Sequence, residues 1–359
     1  MSRRAVLKIV AATPAVVGLG AGLNAAALAL SPALASEATG LKIPASTRLR
    51  GVNIVPTFDA GVIPADQHSS WSTMWRAWDW NGWIKPQIDD AAAIGNAIRF
   101  FGNTHCIAQG NITQATYLAQ WRQVLDYSLA KGLFIYPCGG DLGHWGNFTW
   151  AQSVALYTAW ANMLSTYPNV VGVDITNEAW GQMSPANVGP TTYNQPESYV
   201  DLLAALGGIV RSEAGLRIAH SFPLADSSWW TLSTAPIPAL FEMSDFLDYH
   251  IYASTTPAQA AQAFTNSWGF GKHMVIGEFG VNETLSSDAR TTRYQQISNI
   301  VASRTDIDGA LAWSCWDLAM GSCPDCRSGL YDASRRLRTD ISTPFATIPV
   351  TRAISTGHS

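Results

Sequence analysis

Charged residues are scarce in this chain of 359 residues. It contains 22 lysines and arginines and 26 aspartates and glutamates, which gives a formal net charge of −4. A protein that binds nucleic acid needs a basic face, which this composition does not offer. The same scarcity weakly disfavours strongly anionic ligands, so a neutral partner is favoured. A glycine-rich phosphate loop and a zinc-type pattern of cysteines and histidines are both missing, and we therefore expect neither a cofactor nor a metal.

Long apolar runs are confined to the N-terminus. There the paired Arg3-Arg4 precede an Ala/Val/Leu/Gly-rich run, and Ala33-Leu34-Ala35 offers a small-x-small cleavage site. The pattern predicts a twin-arginine export signal over residues 1–35 and a mature chain over residues 36–359, with a membrane anchor or a Sec signal as alternatives. After cleavage we expect a soluble monomer outside the cytoplasm, secreted or periplasmic, without membrane association.

Cysteine is rare too, and the five present would leave at least one thiol unpaired in an exported protein. Cys323 and Cys326 are spaced to close a small disulfide loop. Cys106 and Cys138 follow neighbouring predicted strands and form a second candidate pair. Cys315 lies within an apolar run and is most simply a small buried residue.

Short apolar or β-branched runs alternate with longer amphipathic runs after residue 40. Predicted strands lie at Leu49–Val55, Ala97–Phe101, Leu133–Pro137, Val170–Thr176, Arg217–Phe222, Phe246–Ile251, Met274–Gly277 and Ala310–Cys315. Predicted helices lie at Ile84–Ile94, Ala115–Lys131, Ala151–Leu164, Ser198–Ala214, Pro257–Trp268 and Ala289–Arg304. The segment between the fifth and sixth strands is the least clearly helical, and so is the chain after Asp332. Eight alternating strands and helices predict a single-domain α/β (β/α)8 barrel, with an open doubly wound sheet as the alternative.

Polar and aromatic residues recur where the predicted strands end, and in such a barrel the active site lies at these C-terminal ends. They are Arg99, Asn177, Glu178, His250, Tyr252, Glu278 and Trp313. Two of them are glutamates, in Ile175-Thr-Asn-Glu178 and in Met274-Val-Ile-Gly-Glu-Phe-Gly280. Two carboxyl groups that face each other across a cleft are the minimum needed to cleave a glycosidic bond.

In these residues the chain resembles the clan A glycoside hydrolases, in particular family 5, the cellulase and β-mannanase family. The resemblance runs from Arg50-Gly-Val-Asn53 to Trp313, and its most specific elements are Asn177-Glu178 and Glu278. It implies a retaining hydrolase of a neutral β-linked oligo- or polysaccharide, of the endo-β-glucanase or β-mannanase type. Glu178 would be the general acid/base and Glu278 the nucleophile, with carboxyl groups about 5–5.5 Å apart.

The resemblance also implies roles for the surrounding residues. Asn177 would bind the sugar 2-hydroxyl, and Trp313 would form an aromatic floor under the reacting sugar ring. His250 would lie beside the acid/base and the nucleophile and help to hold their charge network. Arg99 and Tyr252 are the candidate hydrogen-bond donors that keep the nucleophile ionised. A polar strand cap is the structural alternative for the histidine and the tyrosine, and plain core is the alternative for the tryptophan.

One segment departs from the family pattern, in which the third strand ends with a histidine that lines the cleft. Here the strand ends in Cys138-Gly139-Gly140-Asp141, and His144 follows several residues later. Either His144 reaches back, or another residue takes the role. Asp141 is a candidate for contact with a sugar hydroxyl.

Tryptophan is abundant after the first strand. Aromatic faces stack on sugar rings, so this cluster predicts glycan subsites, with a small core over the barrel as the alternative. Trp180, two residues after Glu178, is predicted to touch sugar. The cluster comprises Trp71, Trp75, Trp78, Trp80 and Trp83.

Other functions fit these residues less well. A transglycosylase would form the same intermediate, and an exo-acting β-glycosidase would use the same scaffold. A non-catalytic carbohydrate-binding barrel would have lost one carboxylate, whereas both are present. A metal-dependent barrel hydrolase lacks a His-x-His pair at the end of the first strand.

Overall fold

Parallel strands form the centre of the structure. The computed structural model describes residues 42, 47–56, 75–108, 110–140, 149–178, 196–223, 236–252, 271–318 and 327–350. Within these ranges the strands are β1 (Leu49–Ile54), β2 (Ala97–Phe101), β3 (Phe134–Cys138), β4 (Val173–Asp174), β5 (Ile218–Ala219), β6 (Ser221–Pro223), β7 (Leu247–Ile251), β8 (Met274–Phe279) and β9 (Ile307–Ala312).

The strand order is β5-β4-β3-β2-β1-β9-β8-β7-β6, so the two ends of the sheet are segments that adjoin in the chain. Ala219 in β5 pairs with β4, and Ser221 in β6 pairs with β7. Only His220 separates the two segments, so β5 and β6 together are the fifth barrel strand and close the sheet. The nine segments therefore form eight barrel strands, which confirms the predicted (β/α)8 barrel.

Helices follow most of the barrel strands. They are α1 (Lys85–Ile94), which continues a π-helical turn (Trp80–Ile84), α2 (Thr104–Ala108), α3 (Gln114–Ala130), α4 (Trp150–Leu164), α5 (Pro196–Ala214), α6 (Pro236–Met243), α7 (Ser287–Ser303) and α8 (Thr339–Phe345). The start of α4 shows how sequence fixes a boundary. The Thr149 hydroxyl accepts the Gln152 N–H, and the Gln152 side chain accepts the Thr149 N–H, so two free backbone donors are satisfied. Within the described ranges, no helix has both the length and the apolar character needed to cross a membrane.

Most predicted elements lie where the sequence placed them, with shifts at their ends. The predicted strand Arg217–Phe222 is divided in two, and of Val170–Thr176 only Val173–Asp174 has regular strand pairing. The interval that looked least helical contains α6. The predicted helix Pro257–Trp268 lies outside the described residues.

The barrel interior changes from apolar to charged along the strands. Its floor is a buried cluster of Leu49, Ala97, Phe134, Tyr136, Val171, Ala219, Phe246, Val275 and Leu311. Side chains two positions further along a strand point to the same side. Two residues after Ala97, Arg99 therefore also points into the barrel. In the same way Asp248 and His250, two and four residues after Phe246, point into the barrel. All three are fully buried, so the interior leads from a hydrophobic floor to a polar upper layer.

Candidate active site

Glu178 and Glu278 meet at the C-terminal ends of the fourth and seventh barrel strands. One oxygen of each carboxyl group and Nδ1 of His250 all lie within 4.8 Å of one another. Retaining glycosidases hold their two carboxyl groups about 5–5.5 Å apart, whereas inverting ones leave about 6.5–9.5 Å for a water molecule. The spacing of the two side chains therefore matches the arrangement expected for retention.

A β-bulge turns Glu278 toward the site. The register between β7 and β8 shifts after Tyr249, so that His250 pairs with Glu278 instead of Gly277. Bulges next to active sites commonly re-aim a side chain in this way. The Gly277 N–H donates to Asp248 Oδ1 at 2.9 Å, and a Cβ at this position would lie 2.1 Å from the same oxygen. Glycine is therefore required for the bulge to form against Asp248.

Both predicted hydrogen-bond donors contact Glu278. Arg99 Nη1 lies 2.7 Å from Glu278 Oε1, and the Tyr252 hydroxyl donates to Oε2. Burial raises the pKa of the Glu278 carboxyl above its ordinary value, and Arg99 and the Tyr252 hydrogen bond oppose that rise. These contacts favour the ionised form, which is the form that can act as a nucleophile.

Arg99 is fully buried and links the surrounding polar groups. Its guanidinium lies 2.7 Å from Glu278 Oε1, 2.7 Å from Asp174 Oδ2, 2.9 Å from Asn53 Oδ1, 2.9 Å from Asn177 Oδ1 and 3.3 Å from Cys138 Sγ. Burial disfavours its charge, but the anionic neighbours outweigh that effect and raise the pKa of Arg99 well above its ordinary value. The same cation therefore orients the predicted nucleophile and the predicted 2-hydroxyl ligand.

His250 lies between the two glutamates. Its Nδ1 is 2.9 Å from Glu178 Oε1 and 3.4 Å from Glu278 Oε2. Burial lowers the pKa of His250 to about 4, so the imidazole is neutral at pH 7 and Arg99 supplies the positive charge next to Glu278. A neutral imidazole has one donor and one acceptor nitrogen. His250 can therefore donate to an ionised Glu178 or accept from a protonated one, which suits an acid/base that changes its charge.

Asp248 is a buried carboxyl beneath His250. Its Oδ2 lies 2.8 Å from the Tyr136 hydroxyl, and burial together with the charge of Asp174 raises the pKa of Asp248 to about 8. Both oxygens of this carboxyl group accept hydrogen bonds, from the Tyr136 hydroxyl and the Gly277 N–H. Asp174 and Glu278 are the buried carboxylates that pair directly with Arg99.

Trp313 follows β9 and is almost fully buried. Its ring meets Phe101 edge to face, with ring centroids 5.5 Å apart. A Cβ added at Gly280 would lie 2.6 Å from the Trp313 carbonyl oxygen and 3.6 Å from the Tyr252 ring, so these residues are neighbours. Trp313 is therefore placed beside the strand that carries Glu278, and its contact with sugar remains a prediction.

The described residues do not include His144, Trp180 or Asp141, so the roles predicted for these three stay predictions. At the end of β3 the buried residue is Cys138. Its Sγ lies 3.3 Å from Arg99 Nη2 and 3.3 Å from Asp174 Oδ2, and burial raises the pKa of the thiol well above its ordinary value. A neutral thiol thus occupies the interior position at the end of the third barrel strand.

Trp75 is core, and the prediction of an exposed sugar platform is wrong for it, whereas Trp78, Trp80 and Trp83 are partly buried and pack against the same core. Trp75 is fully buried and packs on Trp78 and Trp121, with ring centroids 5.0 and 5.5 Å away. Trp80 stacks beside Trp78, and the Trp83 indole donates to a backbone carbonyl of the first barrel strand region. Each of these indoles packs against an aromatic neighbour, and together the rings fill the space between α1, α3 and the barrel. Trp71 lies outside the described residues.

The proposed pairing of Cys106 with Cys138 is also wrong, because both are free thiols. Cys106 is held by backbone groups near Trp75, whereas Cys138 faces the Arg99 guanidinium in the barrel interior. Cys315 is buried and free, as expected. Cys323 and Cys326 lie outside the described residues.

Sequence reasoning missed several inward-facing polar residues. Asp174 precedes Thr176 and Glu178 at intervals of two, and Asp248 precedes His250 and Tyr252 in the same way. The period of two along a strand was the signal that could have found both aspartates. Asn53 was visible only as part of a family motif, and it accepts from Arg99 while its amide donates to the Gly277 carbonyl at 2.9 Å.

Among the described residues, Glu178, His250 and Glu278 are the group that could offer ligand atoms to one metal ion. His250 Nδ1 already hydrogen-bonds to Glu178 and lies 3.4 Å from Glu278, and Arg99 lies 2.7 Å from Glu278. A divalent cation at this position would be repelled by the guanidinium. The arrangement therefore favours proton transfer over metal binding.

The chain matches no protein-family model and none of the curated proteins. Solved structures do match in fold. An enzyme from Streptomyces cattleya described as GH5_18, in complex with Manβ1-4GlcNAc, aligns with a TM-score of 0.64 and 18% identity over 84% of this chain and 82% of its own. The exo-β-1,4-mannosidase of Opitutaceae bacterium strain TAV5 aligns with a TM-score of 0.63 and 18% identity over 87% of this chain and 61% of its own.

A β-glycosidase from Pyrococcus horikoshii aligns with a TM-score of 0.61 and 13% identity over 86% of this chain and 95% of its own. At such identities the similarity establishes the fold. The chain therefore shares the (β/α)8 barrel fold of these solved structures.

Proposed function

We propose that this protein is a retaining β-glycoside hydrolase that acts by double displacement. The observation that carries the proposal is the approach of Glu178 and Glu278 to within 4.8 Å in two different environments. The Glu278 side chain is 4% exposed and is bonded to Arg99 and Tyr252, whereas the Glu178 side chain is 34% exposed and faces His250. An ionised nucleophile and a solvent-accessible acid/base need these two settings.

In the first step the Glu278 carboxylate attacks the anomeric carbon while Glu178 donates its proton to the leaving oxygen. A covalent glycosyl-enzyme forms, and the leaving group departs as an alcohol. In the second step Glu178, now ionised, takes a proton from water, which attacks the anomeric carbon and releases Glu278. Asn177, held by Arg99 at 2.9 Å, is placed to bind the sugar 2-hydroxyl, a contact that strengthens as the oxocarbenium ion develops.

The substrate we propose is a neutral β-linked oligo- or polysaccharide, because the chain carries little charge. Endo-acting β-glucanase or β-mannanase activity is the first candidate, on the family resemblance. Exo-acting β-glycosidase activity is the second, and it is favoured by the structural neighbours, which include an exo-β-1,4-mannosidase and β-glucosidases. A transglycosylase would differ only in the acceptor that intercepts the glycosyl-enzyme.

Export by the twin-arginine route is part of the proposal and is supported by the sequence of residues 1–35, which lie outside the described residues. An extracellular or periplasmic monomer acting on a glycan is the corresponding expectation. N-terminal sequencing of the protein recovered from the culture medium or periplasm tests both the export and the cleavage site.

The function is tested by a product-resolved screen of the purified mature protein against neutral β-glycans and aryl β-glycosides. Glu278→Ala is the inactive variant, and Glu213→Ala, which removes an exposed carboxylate from α5, is the matched control. We expect activity in the control, none in Glu278→Ala, and partial rescue of the latter by azide with release of the glycosyl azide of opposite anomeric configuration. Release of oligosaccharides would indicate endo action, and release of monosaccharide alone would indicate exo action. Near wild-type rates in Glu278→Ala would refute the proposal.

A further inference from the structure

Glu178 has a backbone conformation that residues other than glycine rarely adopt, with φ at 46°. Such a conformation costs energy and persists only where the surroundings hold it in place. Regular pairing of β4 ends at Asp174, so strand pairing does not impose the conformation. Another group must stabilise the turn that carries the carboxyl group.

The buried side chain of Ser221 meets this turn. Its Oγ accepts the Glu178 N–H at 2.8 Å and donates to the Thr176 carbonyl oxygen at 3.4 Å. One hydroxyl therefore bridges the backbone groups on both sides of Asn177. The first contact is much the shorter, which makes it the stronger of the two.

The break in the fifth barrel strand places Ser221 there. The Ile175 N–H donates to the Ala219 carbonyl oxygen at 2.9 Å, and β6, which begins at Ser221, pairs with β7. Beyond Ile175 the neighbouring strand thus offers a side-chain hydroxyl where a regular strand would offer a carbonyl oxygen. Because the hydroxyl is on a side chain, it can reach the Glu178 N–H where the backbone turns out of the regular strand geometry.

Ser221 also connects to the nucleophile. Its N–H donates to Asp174 Oδ1 at 3.1 Å, and Asp174 Oδ2 lies 2.7 Å from Arg99 Nη2. The Arg99 guanidinium in turn holds Glu278 at 2.7 Å. The position of Ser221 is therefore fixed relative to the group that orients Glu278.

We propose that Ser221 is the positioning residue of the acid/base: its hydroxyl holds Glu178 in the left-handed backbone conformation that keeps the carboxyl beside His250 and within reach of Glu278. This inference rests on the proposed function, in which Glu178 transfers the proton. Ser221 acts through Glu178 and touches no reacting atom. A serine that only helped to close the barrel would affect stability without affecting proton transfer selectively.

The first test compares substrates that differ in their need for the proton. Ser221→Ala should lower kcat/KM by about 10- to 100-fold for a glycoside with a poor leaving group, because misplacing a general acid forfeits much of its contribution. For a dinitrophenyl glycoside, which leaves without protonation, the loss should stay below about threefold. Ser221→Thr, which keeps the hydroxyl, should restore most of the activity. The matched control is Ser298→Ala, which removes a buried hydroxyl on α7 that hydrogen-bonds to Thr347. It should leave both rates unchanged.

The second test is a double-mutant cycle with Glu178→Gln. If Ser221 acts through the carboxyl group, Ser221→Ala should cost less than about twofold in the Glu178→Gln background, because no acid remains to be misplaced. Equal losses in both backgrounds, or equal losses on good and poor leaving groups, would overturn the inference and leave the proposed function intact. Full activity of Glu178→Gln would refute the proposed role of Glu178 itself. Should Ser221→Ala not fold, Ser221→Cys carries the same test, since it keeps the volume and offers a weaker acceptor.

Discussion

Replacing Arg99 by methionine should destabilise the protein in a manner that depends on pH. The guanidinium is fully buried and lies 2.7 Å from both Asp174 and Glu278. Methionine fills a similar space without charge, so both carboxylates would remain buried without their cation. Removing one partner of a buried ion pair costs about 3–5 kcal/mol. Because two carboxylates share this cation, we expect the loss at pH 8 to lie near the upper value, about 5 kcal/mol.

The pH dependence follows from the direction of the pKa shift. Burial already raises the pKa of Glu278, and loss of Arg99 would raise it further. A carboxyl with a higher pKa in the native than in the unfolded state binds its proton more tightly when folded, so native stability falls as pH rises above the unfolded pKa, about 4.3 for Glu. The destabilisation by Arg99→Met should therefore be small near pH 4 and grow toward pH 8.

Urea unfolding at pH 5, 6.5 and 8 measures this effect, with Arg336→Met as the control. Arg336 pairs with Asp332 at the surface, with its side chain 78% exposed, and such pairs contribute at most about 1 kcal/mol. The acidic limb of kcat/KM should also move to higher pH in Arg99→Met, because the nucleophile ionises later. A difference in unfolding free energy that is the same at all three pH values, or an unmoved acidic limb, would refute this reasoning.

Three further predictions concern single side chains. Tyr252→Phe removes the hydroxyl that donates to Glu278 and opposes the effect of its burial, so kcat/KM should fall by about tenfold or more and its acidic limb should move upward. Trp75→Ala should lower the unfolding free energy by about 3–5 kcal/mol, measured in urea, without changing KM for the glycan; a raised KM at unchanged stability would mean that the ring binds sugar. The three buried cysteines should resist a disulfide-exchange reagent in the folded protein and react only after unfolding, as read by peptide mapping, because burial raises the pKa of each thiol; rapid modification of the native protein would contradict their placement.

The strands and the site could be predicted together because the polar residues of the site directly follow the apolar runs that mark the strands. Apolar runs marked the barrel strands, and polar residues at their ends marked the C-terminal face where barrel enzymes bind their substrates. Arg99 and Tyr252 were expected near Glu278 for a chemical reason, since an ionised buried carboxylate needs donors. The structure provides both contacts.

The break at His220 and the bulge at Gly277 could not be predicted with the same ease. The run Arg217–Phe222 looks uniform, and its division depends on which neighbouring backbone each residue can reach. Gly277 did carry a signal, because glycine inside a strand often marks a bulge. The predicted strand Met274–Gly277 ends at that glycine, whereas β8 continues through the bulge to Phe279.

Composition alone could not distinguish a sugar platform from core. An indole ring has the same apolar faces in both settings, and only its neighbours decide between them. Trp75 is buried among Trp78, Tyr117 and Trp121, and the last two lie on α3, which meets Trp75 only in the folded chain. The cysteine pairing was wrong for a similar reason, since adjacent strand ends do not imply that two side chains point toward each other.

The most direct test of the central claim is to trap the covalent intermediate. The 2-deoxy-2-fluoro analogue of the sugar identified in the substrate screen, carrying a good leaving group, slows hydrolysis of the glycosyl-enzyme enough for mass spectrometry. We expect the intact protein to gain the mass of one fluoroglycosyl group, and the modified peptide to carry it on Glu278. A label on another residue, or hydrolysis of the natural substrate with inversion of configuration, would contradict the account.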